Sequence, residues 1–178
     1  MNGEAGEPQR APPRSAKCVV RTNVLLSDDF DDGILDDRWI VAGYASTYVS
    51  VTESGGIVRI KQGGERTSVT LKSRPLPVDP DKKLIISFKS TFRKDIMCSD
   101  AWFYINNLSI RCRKRCDVAE NIQVICDLKS GLTQCFVDGE EIARRENTPI
   151  RITDGTVQIR YVCSNFEKWE LDDVKVWQ

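Results

Sequence analysis

With 178 residues, 40% of them apolar, 26 Lys and Arg against 26 Asp and Glu, seven Cys and no His, the chain has the size and composition of one globular domain. The missing imidazole excludes Ser-His-Asp and Cys-His nucleophiles, His-ligated zinc and most proton shuttling near neutral pH. The charge balance argues against sequence-independent binding of nucleic acid or anionic membrane, and no apolar run reaches the ~18 residues of a membrane helix.

Residues 1–17, MNGEAGEPQRAPPRSAK, contain no signal-peptide apolar core and read as a flexible tail, with the folded domain expected over 18–178. From there, short runs rich in Val, Ile, Thr and aromatics follow one another: CVVRTNVLL, WIVAGYASTYVSV, GIVRIK, TSVTLKS, KLIISFKSTF, AWFYINNLSIRC, IQVICDL, TQCFVDG, EIARRE, TVQIRYVC and WELDDVKVW. SDDFDDG, SGG, QGG, RPLPVDPD, KSG, DG and TDG punctuate them as turns, which predicts an all-β sandwich or barrel. Helical periodicity is weak everywhere, and the one stretch long enough for it, DVAENIQVICDL, alternates instead.

A two-residue turn at Ser130-Gly131 predicts that Asp127 faces Gln134 and Cys126 faces Cys135. One buried face then collects Ile122, Val124, Cys126, Leu128, Thr133, Cys135 and Val137. That register permits a Cys126–Cys135 disulfide, with two buried free thiols as the alternative.

The two ends of the domain resemble a known group. SDDFDDGILDDRW (Ser27 to Trp39) is similar to the opening of concanavalin A-like jelly rolls, which include laminin G-like modules, family 16 glycoside hydrolases and many carbohydrate-binding modules. Gly56 to Ile60 (GIVRI), Phe136 to Gly139 (FVDG) and Leu171 to Trp177 (LDDVKVW) match later segments of the same group in the same order. The resemblance implies an antiparallel jelly-roll β-sandwich, with Trp39 and Trp177 packing the core. It also implies one structural Ca²⁺ held by Asp172 and the Gly56 carbonyl, an oxygen-only donor set of the right chemistry. Alternatively, Asp172 closes a turn or a salt bridge.

Family 16 enzymes cleave with paired carboxylates, which in a retaining enzyme stand ~5 to 5.5 Å apart. The strand expected to carry them contains no Glu, and Asp95 and Asp100 are five residues apart in a loop. The resemblance without its acids therefore points to a non-catalytic recognition module for a glycan or glycoconjugate. A structural or adhesion domain that binds protein is the second reading, and a diverged hydrolase the third.

In AWFYINN, alternation places Trp102, Tyr104 and Asn106 on one face and Ala101, Phe103 and Ile105 on the other. On the concave sheet, Trp102 and Tyr104 would stack on a sugar while Asn106, Arg111 and Arg93 supply hydrogen bonds; otherwise the two rings only cover the sheet. RCRKRC places Arg111, Arg113, Lys114 and Arg115 together, a patch suited to an acidic or sulfated ligand, or a solvated loop. Tyr44, Tyr48 and Trp169 lie near turns that could border a groove. Asn107-Leu108-Ser109 is a glycosylation sequon, which with the cysteines and the module type points to a secreted or surface location, whereas the missing signal-peptide core points inward and leaves the compartment open.

Overall fold

The computed structural model describes residues 23–35, 37–43, 49–62, 68–94, 101–112, 117–164 and 167–178. The expected tail, Tyr44, Tyr48, Asp95, Asp100 and the Arg113, Lys114 and Arg115 cations fall outside these residues. The described chain forms β1 (Val24–Asp28), β2 (Trp39–Gly43), β3 (Val49–Glu53), β4 (Val58–Gln62), β5 (Ser68–Ser73) and β6 (Leu76–Pro77). It continues with β7 (Lys83–Lys94), β8 (Ala101–Ile105), β9 (Leu108–Cys112), β10 (Ala119–Asp127) and β11 (Leu132–Val137). The last strands are β12 (Glu140–Arg145), β13 (Thr156–Val157), β14 (Ile159–Ser164) and β15 (Glu167–Trp177).

An eight-stranded sheet runs β12-β11-β10-β7-β15-β4-β3 with β1 also on β15, a five-stranded sheet runs β2-β5-β14-β8-β9, and β13 and β6 form a small ribbon. The pairing is antiparallel throughout. Alternation does the sorting: β10 buries Ile122, Val124 and Cys126 from one sheet, and β8 buries Phe103 and Ile105 from the other. Tyr161 sits at the centre of the core, its ring 5.1 Å from those of Phe88 and Phe103 and 5.3 Å from that of Trp169.

β1 and β15 lie side by side with Asp28 opposite Val174, so the two matching ends of the sequence do meet. The SDDF…W pattern has a physical reason. Asp28 is 9% exposed, and its carboxylate accepts the Phe30 N–H at 3.0 Å and the Trp39 indole N–H at 2.7 Å. A buried carboxylate without such donors would be costly. These bonds hold the turn in which Phe30 takes φ +55°, a conformation uncommon for a bulky side chain, and send its ring into the core.

β15 is flanked along one edge by β7 and along the other first by β4 and then by β1. A bulge between Asp172 and Lys175, with Asp173 at φ +51°, bends the strand between its two partners.

Three expectations change. The β10–β11 register is shifted by two residues, so Cys126 faces Thr133 and Cys135 faces Val124. Four residues connect the strands, because the Asp127 side chain accepts the N–H groups of Lys129 and Ser130 and Gly131 supplies a positive φ. The disulfide is therefore not formed: Cys126 and Cys135 are free buried thiols. The second change is Trp169, which is not at a groove but 1% exposed in the core, where its indole N–H donates to the Ser90 hydroxyl. Trp177, the third, is half-buried on the outward side of its strand instead of in the core.

Candidate functional site

Because Phe103 and Ile105 are fully buried, Trp102 and Tyr104 face outward from the five-stranded sheet. Two rows of side chains cross all five strands there. One reads Ala42, Thr70, Val162, Trp102, Arg111, and the other Ile40, Lys72, Arg160, Tyr104, Ser109. Neither row contains a carboxylate. Both rings are half-buried, with centroids 6.4 Å apart and planes 31° from parallel. The Arg160 guanidinium lies 4.9 Å from the Tyr104 ring centre and donates to the Asn106 carbonyl at 2.8 Å. The sheet thus presents an aromatic pair bordered by hydrogen-bond donors, a surface able to cover an apolar ring face while binding its polar substituents.

Of the residues expected on this face, Trp102, Tyr104 and Arg111 are brought together. Asn106 is not part of it. It forms the β8–β9 turn at φ +47°, donates its amide to the Arg151 carbonyl at 2.6 Å and accepts the Gln158 N–H at 2.8 Å. Asn107 completes the turn; it is exposed and accepts the Arg151 N–H at 2.6 Å. Two Asn between alternating segments make a hairpin turn because Asn tolerates the left-handed conformation, whereas the sequence reading took AWFYINN as one strand. Arg93 belongs to β7 in the other sheet, opposite Lys168. Lys72 and Arg160 are the face residues that the sequence reading missed. Their signal was present in TSVTLKS and TVQIRYVC, where each alternates with apolar neighbours.

The metal expectation finds Gly56 buried at φ +72°, at a point where a Cβ would stand 2.7 Å from Asp31 Oδ1 and 3.7 Å from the Asp29 carbonyl. Asp172, however, faces the Lys89 ammonium at 3.7 Å, and among the described residues no three Asp, Glu or Cys are grouped to hold an ion. A concavity of about 700 Å³ on the outer side of the eight-stranded sheet is lined by Phe136, Asn121, Gln123, Asp29, Asp31 and Asp172. It lies on the opposite side of the sandwich from Trp102.

Glu53, at the end of β3, has its pKa pushed up to about 7 by burial first and then by the Asp32 side chain hydrogen-bonded to it. Asp32 is correspondingly lowered, chiefly by the Ile34 N–H. This pair joins the end of β3 to the loop after β1 and is not part of the aromatic face.

No protein-family model matches the chain, and no curated protein matches it in sequence. Solved structures do match it. The carbohydrate recognition domain of Emp47p superposes with a TM-score of 0.61 at 10% identity, over 86% of this chain and 94% of that one. A non-specific endo-β-1,3(4)-glucanase of family GH16 gives a TM-score of 0.61 at 12% identity, over 97% of this chain and 94% of the glucanase. A sialidase gives 0.65 at 11% identity over 85% of this chain, which spans only 18% of the sialidase. The fold is the concanavalin A-like jelly roll.

Proposed function

We propose that the chain is a non-catalytic carbohydrate-recognition module that takes its ligand on the outer face of the five-stranded sheet. The observation that carries this reading is the outward pair Trp102 and Tyr104, half-exposed and flanked by Arg160 and Arg111. The rings cover the C–H face of a pyranose, and the guanidinium groups bind its hydroxyls or acidic substituents. The similarity to a carbohydrate recognition domain and to a glucanase supports a glycan as the ligand class. A non-catalytic role is supported by the two rows, which offer no carboxylate pair at the separation a retaining glycosidase needs.

A glycan array and calorimetry test the reading. At least one glycan should bind, with Trp102→Ala and Tyr104→Ala each weakening it at least ~10-fold, equivalent to ~1.4 kcal/mol. Absence of binding to any glycan, with an intact fold by circular dichroism, would leave the protein-binding adhesion reading in its place. Release of reducing sugar from β-glucans would overturn the non-catalytic assignment.

A further inference from the structure

We infer that the glycan taken by this face is anionic, a sugar bearing a carboxylate or a sulfate, with Lys72 and Arg111 as the charge-pairing residues. The inference rests on the glycan-binding reading and names the ligand class.

Three cations, Lys72, Arg160 and Arg111, occupy the two rows that contain Trp102 and Tyr104, and no acid accompanies them there. The chain as a whole is neutral, so this is a local asymmetry. Asp29, Asp31, Asp172 and Asp173 instead line the concavity on the opposite outer face.

Register adds a second, independent observation. Lys72 and Arg160 are directly opposite each other on neighbouring strands, an arrangement that like charges disfavour. Arg160 turns to the Tyr104 ring and the Asn106 carbonyl, which makes it a positioning residue. Lys72 remains beside it, and a bound anion relieves the repulsion. Arg111 lies across Trp102, three strand spacings and two residues along the strands from Lys72, or about 16 Å. Two anionic groups that far apart belong to a short oligosaccharide rather than a single sugar. Neutral overall charge disfavours nucleic acid, whose affinity comes from a broad basic surface.

The test is calorimetry with the full chain and three oligosaccharide probes: sulfated galactan, uronate-only and neutral β-glucan. At least one anionic probe should bind ~10-fold or more tighter than the neutral one and lose several-fold in affinity between about 50 and 200 mM salt. The anionic arm that binds distinguishes sulfate from carboxylate. Lys72→Ala and Arg111→Ala should each weaken the anionic probe about 3- to 10-fold, several times more than they weaken the neutral one, whereas Trp102→Ala weakens every probe that binds to a similar degree. Lys72→Ala should not lower the melting temperature, because it removes a like-charge contact. Equal, salt-independent binding of neutral and anionic probes would overturn the anionic assignment but leave glycan recognition standing. Binding of no probe or glycan would remove both, and equal competition by single-stranded RNA would overturn the sugar as ligand.

Discussion

Replacing Glu53 by Gln isolates the cost of one half-buried carboxylate. Glu53 Oε1 is buried without a hydrogen-bond partner, and the charged groups acting on the carboxyl are Asp32 and Asp28. Its folded-state pKa is about 7 against an ordinary 4.5, so the native protein keeps a proton that the unfolded chain releases in that window. Stability therefore falls as pH rises from ~4.5 to ~7, with the loss complete above ~7. At ~1.4 kcal/mol per pH unit the ceiling is ~3 kcal/mol, and sharing of the proton with Asp32, together with partial solvent access, brings the expected effect to about 1–2 kcal/mol. Glutamine has the shape and donor capacity of the protonated acid. E53Q should match wild type at pH 4.5 and exceed it by that amount at pH 8. Urea denaturation followed by tryptophan fluorescence measures both. An identical stability difference at the two pH values would refute the reasoning.

Asp28→Asn leaves either the Phe30 N–H or the Trp39 indole N–H without its acceptor, and should cost about 2 kcal/mol in the same assay. Because burial pushes the Cys126 thiol up to about 12, and Cys135 is also buried, both should resist iodoacetamide at pH 8 in the native protein. Peptide mass mapping should find both alkylated once the chain is unfolded without reductant; failure to label then would reinstate a disulfide. Since Asp172 is paired with Lys89, melting temperatures in chelator and in millimolar calcium should agree within about 1 °C. A rise of several degrees in calcium, abolished by Asp172→Asn, would assign a metal there after all.

Sequence alternation carries information about faces but not about register. A two-residue slip leaves every side chain of β10 and β11 on its own side, so the buried set Ile122, Val124, Cys126, Cys135 and Val137 was readable while the cysteine pairing was not. The β1–β15 contact was readable because the end motifs are short and specific. Trp169 was misread because the Ser90 hydroxyl that lets an indole be buried lies 79 residues away in the chain. The aromatic face was half visible: Trp102, Tyr104 and Arg111 share one hairpin, whereas Lys72 and Arg160 reach it from β5 and β14, and no local pattern announces which strands become neighbours.

The position of β15 also constrains how the molecule is made. The eleven-residue β15, latest of the described strands in chain order, is interior to its sheet, bordered by β7 on one edge and by β4 and β1 on the other. Until it pairs, the half containing β7, β10, β11 and β12 has no hydrogen-bonded link to β1, β3 and β4, and two long strand edges stay open. Closing the sheet consequently waits on pairings far apart in sequence and is slow, as for other topologies dominated by distant pairings, and the chain needs shielding from edge-to-edge association until β15 docks.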